Sequence, residues 1–231
     1  MSRRPGCVKR ACAGSCGRIE PRAGGPDNHR SMQVNVLDWL PAANGHFRYE
    51  SGYHGELWLD LDRLFVDPRR LALLGRELAV RFRRRKVEAV VGPLAGGAFL
   101  AQMIAAELGV AFAYSAPEPP SSDEALFSVA YRLRPTVAPL LMGKRVAIVD
   151  DAVNAGSALR GTLRALIEAG AKPAAVGALV VLGDAVLPFL EEEGLALERL
   201  ASLPNPLWTP AECPLCARGI PLGARDPDQA H

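Results

Sequence analysis

Two adjacent carboxylates, Asp150 and Asp151, stand between an apolar run at residues 146–149 and a short loop of small residues. The apolar run is typical of a buried strand, and the pattern predicts a helix that opens at Ser157. Gly156 lets the loop backbone approach a ligand closely, and the free N–H groups at the helix start suit a phosphate. Paired aspartates accept hydrogen bonds from two neighbouring hydroxyls, as in a ribose diol. The segment therefore predicts a sugar-phosphate site.

A second loop of similar character covers residues 92–97, between an apolar run and a predicted helix. Its three glycines, Gly92, Gly96 and Gly97, suit a backbone that folds around the oxygens of a pyrophosphate. In open sheets of parallel strands, ligands bind beyond the carboxyl ends of the strands. We therefore expect the two loops to meet at one edge of a sheet.

The elements that position these loops alternate between strand and helix. A long amphipathic helix is predicted from Pro68, and strand–helix units follow it as far as residue 203. This order predicts an α/β fold with a doubly wound, mostly parallel sheet. Two brief strands, at 45–50 and 56–60, precede that sheet. The Pro-rich stretch 115–143, with a predicted strand at 126–133, has the length of a functional lid or arm.

Residues 144–162 resemble the phosphoribosyl pyrophosphate (PRPP) signature of type I phosphoribosyltransferases. The acid pair, Ala155-Gly156 and the Ser157 hydroxyl match the variant found in orotate phosphoribosyltransferases. Similarity extends over about residues 34–222 and includes the hood-like segment 46–52. It implies a catalytic domain at 32–222, with a small N-terminal hood at about 34–65, a core at about 66–203 and a Pro/Cys tail at 204–231. One departure is Asn154, where the family usually has Thr; its amide still donates a hydrogen bond.

The resemblance implies a role for each of several residue sets. Asp150 and Asp151 are expected to be catalytic and to hold Mg²⁺ directly or through water, and Arg132 or Arg134 is expected to supply a closing cation. The PRPP-binding set is Asp150, Asp151, Ala152, Val153, Asn154, Ala155, Gly156 and Ser157. The pyrophosphate loop is Pro93, Leu94, Ala95, Gly96 and Gly97. The base-pocket candidates are Phe47, Ser51 and Trp58; the alternative for Phe47 and Trp58 is a place in the core of the hood.

The implied activity is Mg²⁺-dependent transfer of ribose 5-phosphate from PRPP to a nucleobase, by a cytoplasmic homodimer. Orotate is the leading base, which places the reaction in pyrimidine nucleotide synthesis. Two departures keep alternatives open: residues 116–143 contain no Lys and no His, and Asp184 stands where the family has the Arg that grips orotate. The alternatives are a phosphoribosyltransferase for a different, non-anionic base and a non-catalytic PRPP-binding regulator.

Charge gives little reason to expect a nucleic-acid or membrane partner. Residues 1–31 carry seven Lys/Arg against two acids, a net charge of +5, while the chain as a whole has +2. The rest of the chain is therefore mildly acidic. No apolar stretch approaches the roughly 20 residues that a membrane helix needs.

Three interpretations of residues 1–31 stay open: a disordered tail, an upstream start with Met32 as the working start, or a functional basic arm.

Five cysteines occur, three of them (Cys7, Cys12 and Cys16) in the basic N-terminal stretch. This distribution argues against a disulfide framework and fits a reducing cytoplasm. Cys213 and Cys216 have the spacing of half a zinc knuckle, but a tetrahedral structural site needs four ligands. Two interpretations are open: the tail cysteines or a symmetry mate complete the site, or the pair forms a compact turn with buried or free thiols.

Overall fold

The computed structural model describes residues 35–118 and 130–223. The predictions for residues 1–31, for Met32, for the start of the 126–133 strand and for residues 224–231 lie outside this range. The strands are β1 (Ala42–Arg48), β2 (His54–Leu59), β3 (Ala89–Pro93), β4 (Ala111–Pro117), β5 (Tyr131–Leu133), β6 (Arg145–Val153), β7 (Lys172–Leu182) and β8 (Ala196–Leu203). The α-helices are α1 (Asp62–Phe65), α2 (Pro68–Phe82), α3 (Gly96–Leu108), α4 (Ala138–Leu141), α5 (Ser157–Glu168), α6 (Leu187–Glu192) and α7 (Pro214–Ala217). Short 3₁₀ helices cover Val36–Trp39 and Arg83–Arg85.

Six strands form one sheet in the order β5-β4-β3-β6-β7-β8. Strands β4, β3, β6, β7 and β8 are parallel to one another. Among the strands described for this sheet, only the edge strand β5 pairs antiparallel, with β4. The connections change direction at β3 and β6, which are neighbours at the centre of the sheet. The predicted doubly wound, mostly parallel sheet is therefore confirmed, and its switch point lies between β3 and β6.

Apolar helix faces cover both sides of the sheet. On one side, α2 and α3 bury residues such as Leu78, Phe82 and Ile104 against β6 and β7. On the other side, α5 and α6 bury residues such as Leu159 and Leu166. The spacing of these residues follows the 3.6-residue helical period, because each helix turns a single apolar stripe toward the sheet.

The observed boundaries differ from the predicted ones at functionally important points. Helix α2 begins at Pro68 as predicted. The Asp67 side chain caps the start of this helix by accepting a hydrogen bond from the Arg69 N–H. Strand β6 does not end before the acid pair but continues to Val153, because β7 pairs with it as far as that residue. Helix α3 starts at Gly96, earlier than the predicted start at residue 98. The pyrophosphate-loop glycines thus form the first turn of α3.

Strands β1 and β2 form a separate antiparallel pair, which together with the turn 49–53 we call the hood hairpin. Residues 204–223, the C-terminal segment, return to this hairpin. The His54 N–H donates to the Trp208 carbonyl at 2.8 Å, and the Trp208 N–H donates back to the His54 carbonyl at 3.0 Å. The Gly223 N–H donates to the His46 carbonyl at 2.6 Å. Within 35–118 and 130–223, no helix is long and apolar enough to cross a bilayer.

Candidate active site

A cavity of about 760 Å³ opens at the carboxyl ends of β3 and β6 and is bordered by the hood hairpin. Its lining includes all eight residues of the predicted PRPP-binding set, 150–157. Four of the five predicted pyrophosphate-loop residues (Pro93, Leu94, Ala95 and Gly96) line it as well. The two loops that the sequence analysis singled out therefore face one common space.

The acid pair is held at the end of β6 by its own backbone. The Asp151 N–H donates to Oδ1 of Asp150 at 3.0 Å, and the Ala152 N–H donates to Oδ1 of Asp151 at 2.7 Å. Both side chains are half-buried and reach the cavity. Gly156 has φ of 80°, in the left-handed region that favours glycine, and α5 starts at the next residue. The chain thus turns sharply from strand to helix and leaves the first N–H groups of α5 at the cavity wall.

The charged forms of the two aspartates are disfavoured in this environment. Burial raises the pKa of Asp150 well above its ordinary value, and the neighbouring Asp151 carboxylate raises it further. Burial likewise raises the pKa of Asp151. A positively charged group in the cavity would reverse this penalty, because it stabilises both carboxylates in their charged form.

The donor set of the cavity suits a hard divalent cation. Five carboxylates line it, and among the described lining residues there is no Lys, Arg or His: the acids are Glu50, Asp60, Asp62, Asp150 and Asp151. Mg²⁺ takes oxygen ligands, commonly one or two carboxylates together with substrate phosphates and water. Asp150 and Asp151 are therefore chemically suited to hold Mg²⁺ beside an anionic substrate.

The pyrophosphate loop packs tightly against the acid pair. A Cβ on Gly97 would lie 2.6 Å from Oδ1 of Asp150 and 2.8 Å from the Val149 carbonyl oxygen. A Cβ on Gly96 would overlap the Asp151 carboxylate in the same way. Glycine is required here because the backbone of α3 approaches the aspartates more closely than any side chain permits. Gly97 itself lies behind the cavity wall rather than in its lining.

The base-pocket candidates divide between the cavity and the hood core. Ser51 and Trp58 line the cavity. Phe47 is buried and packs against Trp58, with ring centroids 5.8 Å apart, and it is outside the cavity lining. The expected place of Phe47 in the pocket is therefore corrected: it supports Trp58 from behind. Alternation along β1 is interrupted at this point: the register with β2 shifts between Asn44 and Phe47, and the neighbours His46 and Phe47 are both buried.

The closing-cation candidates lie away from the cavity. Arg132 is on β5, where Tyr131 and Leu133 are buried and the intervening arginine is exposed and ion-paired with Glu118. Nε of Arg134 donates to the Tyr114 hydroxyl at 3.1 Å. Neither arginine lines the cavity in this conformation. Asp184, which stands where the resemblance implies an arginine, is also exposed and outside the cavity lining.

Sequence reasoning missed a polar network that connects the hood hairpin with the loop at residues 152–157. Nδ2 of Asn205 donates to the Tyr49 hydroxyl at 3.1 Å and to Oδ1 of Asn154 at 3.3 Å. The Tyr49 hydroxyl donates to the Leu57 carbonyl. Nδ2 of Asn154 is buried and has no hydrogen-bond partner among the described residues. Asn154 therefore uses its amide oxygen to join the loop to Asn205.

Comparison with known proteins identifies the family. Residues 63–191 match the model of the phosphoribosyl transferase domain. The orotate phosphoribosyltransferase of Caldanaerobacter subterraneus subsp. tengcongensis is 30% identical over 190 residues, which cover 82% of this chain and 93% of that enzyme. The chain belongs to the phosphoribosyltransferase family. The orotate phosphoribosyltransferase of Thermotoga petrophila is 31% identical to this phosphoribosyltransferase over 177 residues, 77% of this chain and 87% of that one.

A solved relative shares the fold of this phosphoribosyltransferase. The crystal structure of orotate phosphoribosyltransferase from Aeropyrum pernix superposes with a TM-score of 0.55 at 23% identity. The superposition covers 73% of this chain and 90% of that chain.

Proposed function

We propose that this protein is an orotate phosphoribosyltransferase, which transfers the ribose 5-phosphate of PRPP to orotate. The observation that carries the proposal is the common cavity at which the acid pair, the loop 152–157 and the pyrophosphate loop meet. The curated relatives support the choice of base, since orotate phosphoribosyltransferases match at about 30% identity over most of the chain.

Each part of PRPP has a partner of suitable chemistry in the cavity. The carboxylates of Asp150 and Asp151 accept hydrogen bonds from the two ribose hydroxyls. The N–H groups of the loop 154–157 and of the first turn of α5 donate to the 5′-phosphate. The backbone at 93–96 faces the pyrophosphate. Binding energy from the phosphates, which do not react at the sugar carbon, then orients the reacting centre.

Mg²⁺ is the proposed cofactor, with Asp150 and Asp151 as its protein ligands, directly or through water. When bound, it offsets the charge of the pyrophosphate leaving group. Support comes from the donor set, in which five carboxylates line the cavity without a described basic side chain. PRPP is strongly anionic, so a cavity with this lining needs a counter-charge to accept it.

The transfer exchanges one bond at C1 of the ribose for another. The bond from C1 to the pyrophosphate oxygen breaks, and its electron pair leaves with the pyrophosphate. A ring nitrogen of the base forms the new bond to C1 and loses its proton to water. Positive charge develops on the ribose during this exchange, and the adjoining carboxylates of Asp150 and Asp151 stabilise it. Ser51 and Trp58 of the hood hairpin are proposed to contact the base.

One observation favours a second candidate function, transfer to a non-anionic base. Orotate carries a carboxylate, whereas the described lining of the cavity is acidic. The arginine that the sequence resemblance implies is also missing: Asp184 stands in its place, exposed and outside the cavity lining. A neutral base would avoid the repulsion from the acidic lining and would not need that arginine.

The protein is further proposed to act in the cytoplasm as a homodimer. Exposed aromatic side chains on neighbouring elements, Phe99 of α3 and Phe112 of β4, support self-association. Light scattering coupled to gel filtration measures the mass of the particle. A mass of one chain, near 24.7 kDa, would contradict the dimer.

A base panel tests the proposed function. Calorimetry with PRPP and Mg²⁺ first establishes binding, and a pyrophosphate-release assay then compares orotate with uracil, adenine and hypoxanthine. Release with orotate above all others is the expected result. Release with a neutral base alone supports the second candidate. Binding of PRPP without release for any base contradicts both and indicates a PRPP-binding regulator.

A further inference from the structure

The hood hairpin and the C-terminal segment bring together four side chains of the types that ligate transition metals. His46, His54, Cys213 and Cys216 each direct one ligand atom to a common centre, and these atoms lie within 4.8 Å of one another. His46 lies on β1 and His54 on β2. Cys213 directly precedes α7, and Cys216 lies within it. The cluster is separate from the cavity, whose lining includes none of these four residues.

The separations between the ligand atoms are close to the edges of a tetrahedron. Nε2 of His46 lies 3.0 Å from Nδ1 of His54 and 3.4 Å from Sγ of Cys213. Sγ of Cys216 lies 3.6 Å from Nε2 of His46 and 3.3 Å from Nδ1 of His54. In tetrahedral zinc sites, Zn–N bonds of about 2.1 Å and Zn–S bonds of about 2.3 Å separate nitrogen and sulfur by about 3.6 Å. An ion therefore fits after small adjustments of the side chains.

The contact between His46 and Ile220 prepares the imidazole for a metal. Nδ1 of His46 lies 2.7 Å from the Ile220 carbonyl oxygen. Since a carbonyl oxygen only accepts hydrogen bonds, this contact makes Nδ1 the donor, and a metal would take the lone pair of Nε2. Metal-bound histidines in proteins are oriented in this manner by a second hydrogen bond. The carbonyl comes from the same C-terminal segment that carries the cysteines.

Burial also favours a metal at this position. His46, His54 and Cys213 are buried, and Cys216 is exposed, so the cluster is closed on one side and reachable from solvent on the other. A hairpin of two strands is marginally stable by itself. A shared ion would tie this hairpin to a segment that lies more than 150 residues further along the chain.

We propose that His46, His54, Cys213 and Cys216 bind a structural zinc ion that fastens the hood hairpin to the C-terminal segment. Two thiolates and two imidazoles in tetrahedral arrangement favour zinc over harder cations. With four protein ligands the site is closed, as structural zinc sites are. The spacing of the two cysteines predicted only half of a four-ligand site. In this proposal the two histidines supply the missing ligands, and neither the N-terminal cysteines nor a symmetry mate is needed.

The ion also has a consequence for the cavity. The turn of the hood hairpin lies between His46 and His54 and carries three cavity residues, Tyr49, Glu50 and Ser51. Both ends of that turn are fixed by the two metal ligands. Loss of the ion therefore loosens the part of the hood that borders the substrate site.

Metal analysis of the full chain, purified under reducing conditions, tests the proposal. We expect about one zinc per chain by mass spectrometry of the metal content. Cys216→Ser and His54→Ala should each lower the zinc content at least about tenfold, since a structural site needs its four ligands. As matched controls, the triple variant Cys7→Ser, Cys12→Ser, Cys16→Ser and the variant His29→Ala should keep the full content.

Replacement of zinc by Co²⁺ gives a readout that requires no variant. Intense visible bands of tetrahedral cobalt and a thiolate-to-cobalt charge-transfer band are expected for the wild-type chain. The proposal is overturned if the reduced wild-type protein contains no zinc and takes up neither Zn²⁺ nor Co²⁺. It is equally overturned if the N-terminal cysteine variant loses the metal, or if one ion is bound per two chains.

Discussion

The Tyr131 hydroxyl donates a hydrogen bond of 3.2 Å to Oε1 of Glu50 and thereby joins the edge strand β5 to the hood hairpin. Both residues line the cavity. Burial, together with the negative charge of Glu50, raises the pKa of Tyr131 above its ordinary value. The hydroxyl therefore stays protonated, and remains a donor, throughout the neutral pH range.

Removal of this hydroxyl should weaken substrate binding more than the chemical step. Tyr131→Phe is expected to lower the free energy of unfolding by about 0.5–1.5 kcal/mol, the usual net value of one hydrogen bond. The KM for PRPP should rise while kcat changes little, because the contact positions the cavity wall. Steady-state kinetics measure both. Glu50→Gln, which keeps the acceptor oxygen, should preserve stability better than Tyr131→Phe, and an unchanged KM in Tyr131→Phe contradicts the positioning role.

A methyl group at Gly97 should abolish activity. Its Cβ would press on the Asp150 carboxylate and the backbone of β6, so the loop must move away from the acid pair. We expect Gly97→Ala to lose at least about 100-fold in kcat/KM, the scale expected when reacting groups are displaced by about 1 Å. Gly194→Ala is the control for activity: its positive φ, unlike the backbone at Gly97, costs some stability, but no heavy atom lies within 4 Å of its Cβ and it is outside the cavity lining, so turnover should be kept. If Gly97→Ala retains wild-type turnover, the close packing of the pyrophosphate loop against the Asp150 carboxylate is not required for activity.

A methyl group at Gly177 should affect stability instead. Gly177 of β7 faces Phe82 of α2, and a Cβ would lie 2.5 Å from the ring. Overpacking of this kind costs about 1–3 kcal/mol in the free energy of unfolding. Chemical denaturation of Gly177→Ala should show this loss, and the double variant with Phe82→Leu should recover part of it. A double variant whose loss equals the sum of the two single losses would show that the two side chains do not compete for space.

The role of closing cation stays a prediction for Arg132 and Arg134. If either side chain reaches the pyrophosphate during turnover, its alanine variant should lower kcat at least about tenfold. The reason is the loss of one charged contact that stabilises the transition state. The dissociation constant of PRPP should change less, because the contact forms after binding. Lysine at the same position should restore part of the rate. Full turnover in both alanine variants would exclude the role.

Local patterns in the sequence were sufficient for the framework of the site. The apolar run before Asp150, the glycine before Ser157 and the helical spacing after it each report on neighbouring residues. Such patterns determine strands, helices and the turns between them. This is why the doubly wound sheet and the shared position of the two loops were predicted correctly.

Contacts between distant parts of the chain were not predicted, because no local pattern records them. Tyr131 and Glu50 are 81 residues apart, and Cys213 is 167 residues from His46. The four-residue His/Cys cluster was therefore visible only as its cysteine half, and Phe47 was predicted in the base pocket although it is buried in the hood. The direction of a side chain across a hairpin depends on register, which the sequence of a short strand specifies weakly.

The affinity for PRPP, measured by calorimetry in the presence of Mg²⁺, tests most directly whether the acid pair holds the ribose. Wild-type protein should bind PRPP, and the variant Asp150→Asn, Asp151→Asn should bind it at least about 100-fold more weakly, because two charge-assisted contacts are lost. Asp184→Asn, a change at an exposed carboxylate outside the cavity, should leave the affinity unchanged. Equal affinity of the double variant and the wild type would contradict the assignment of this site.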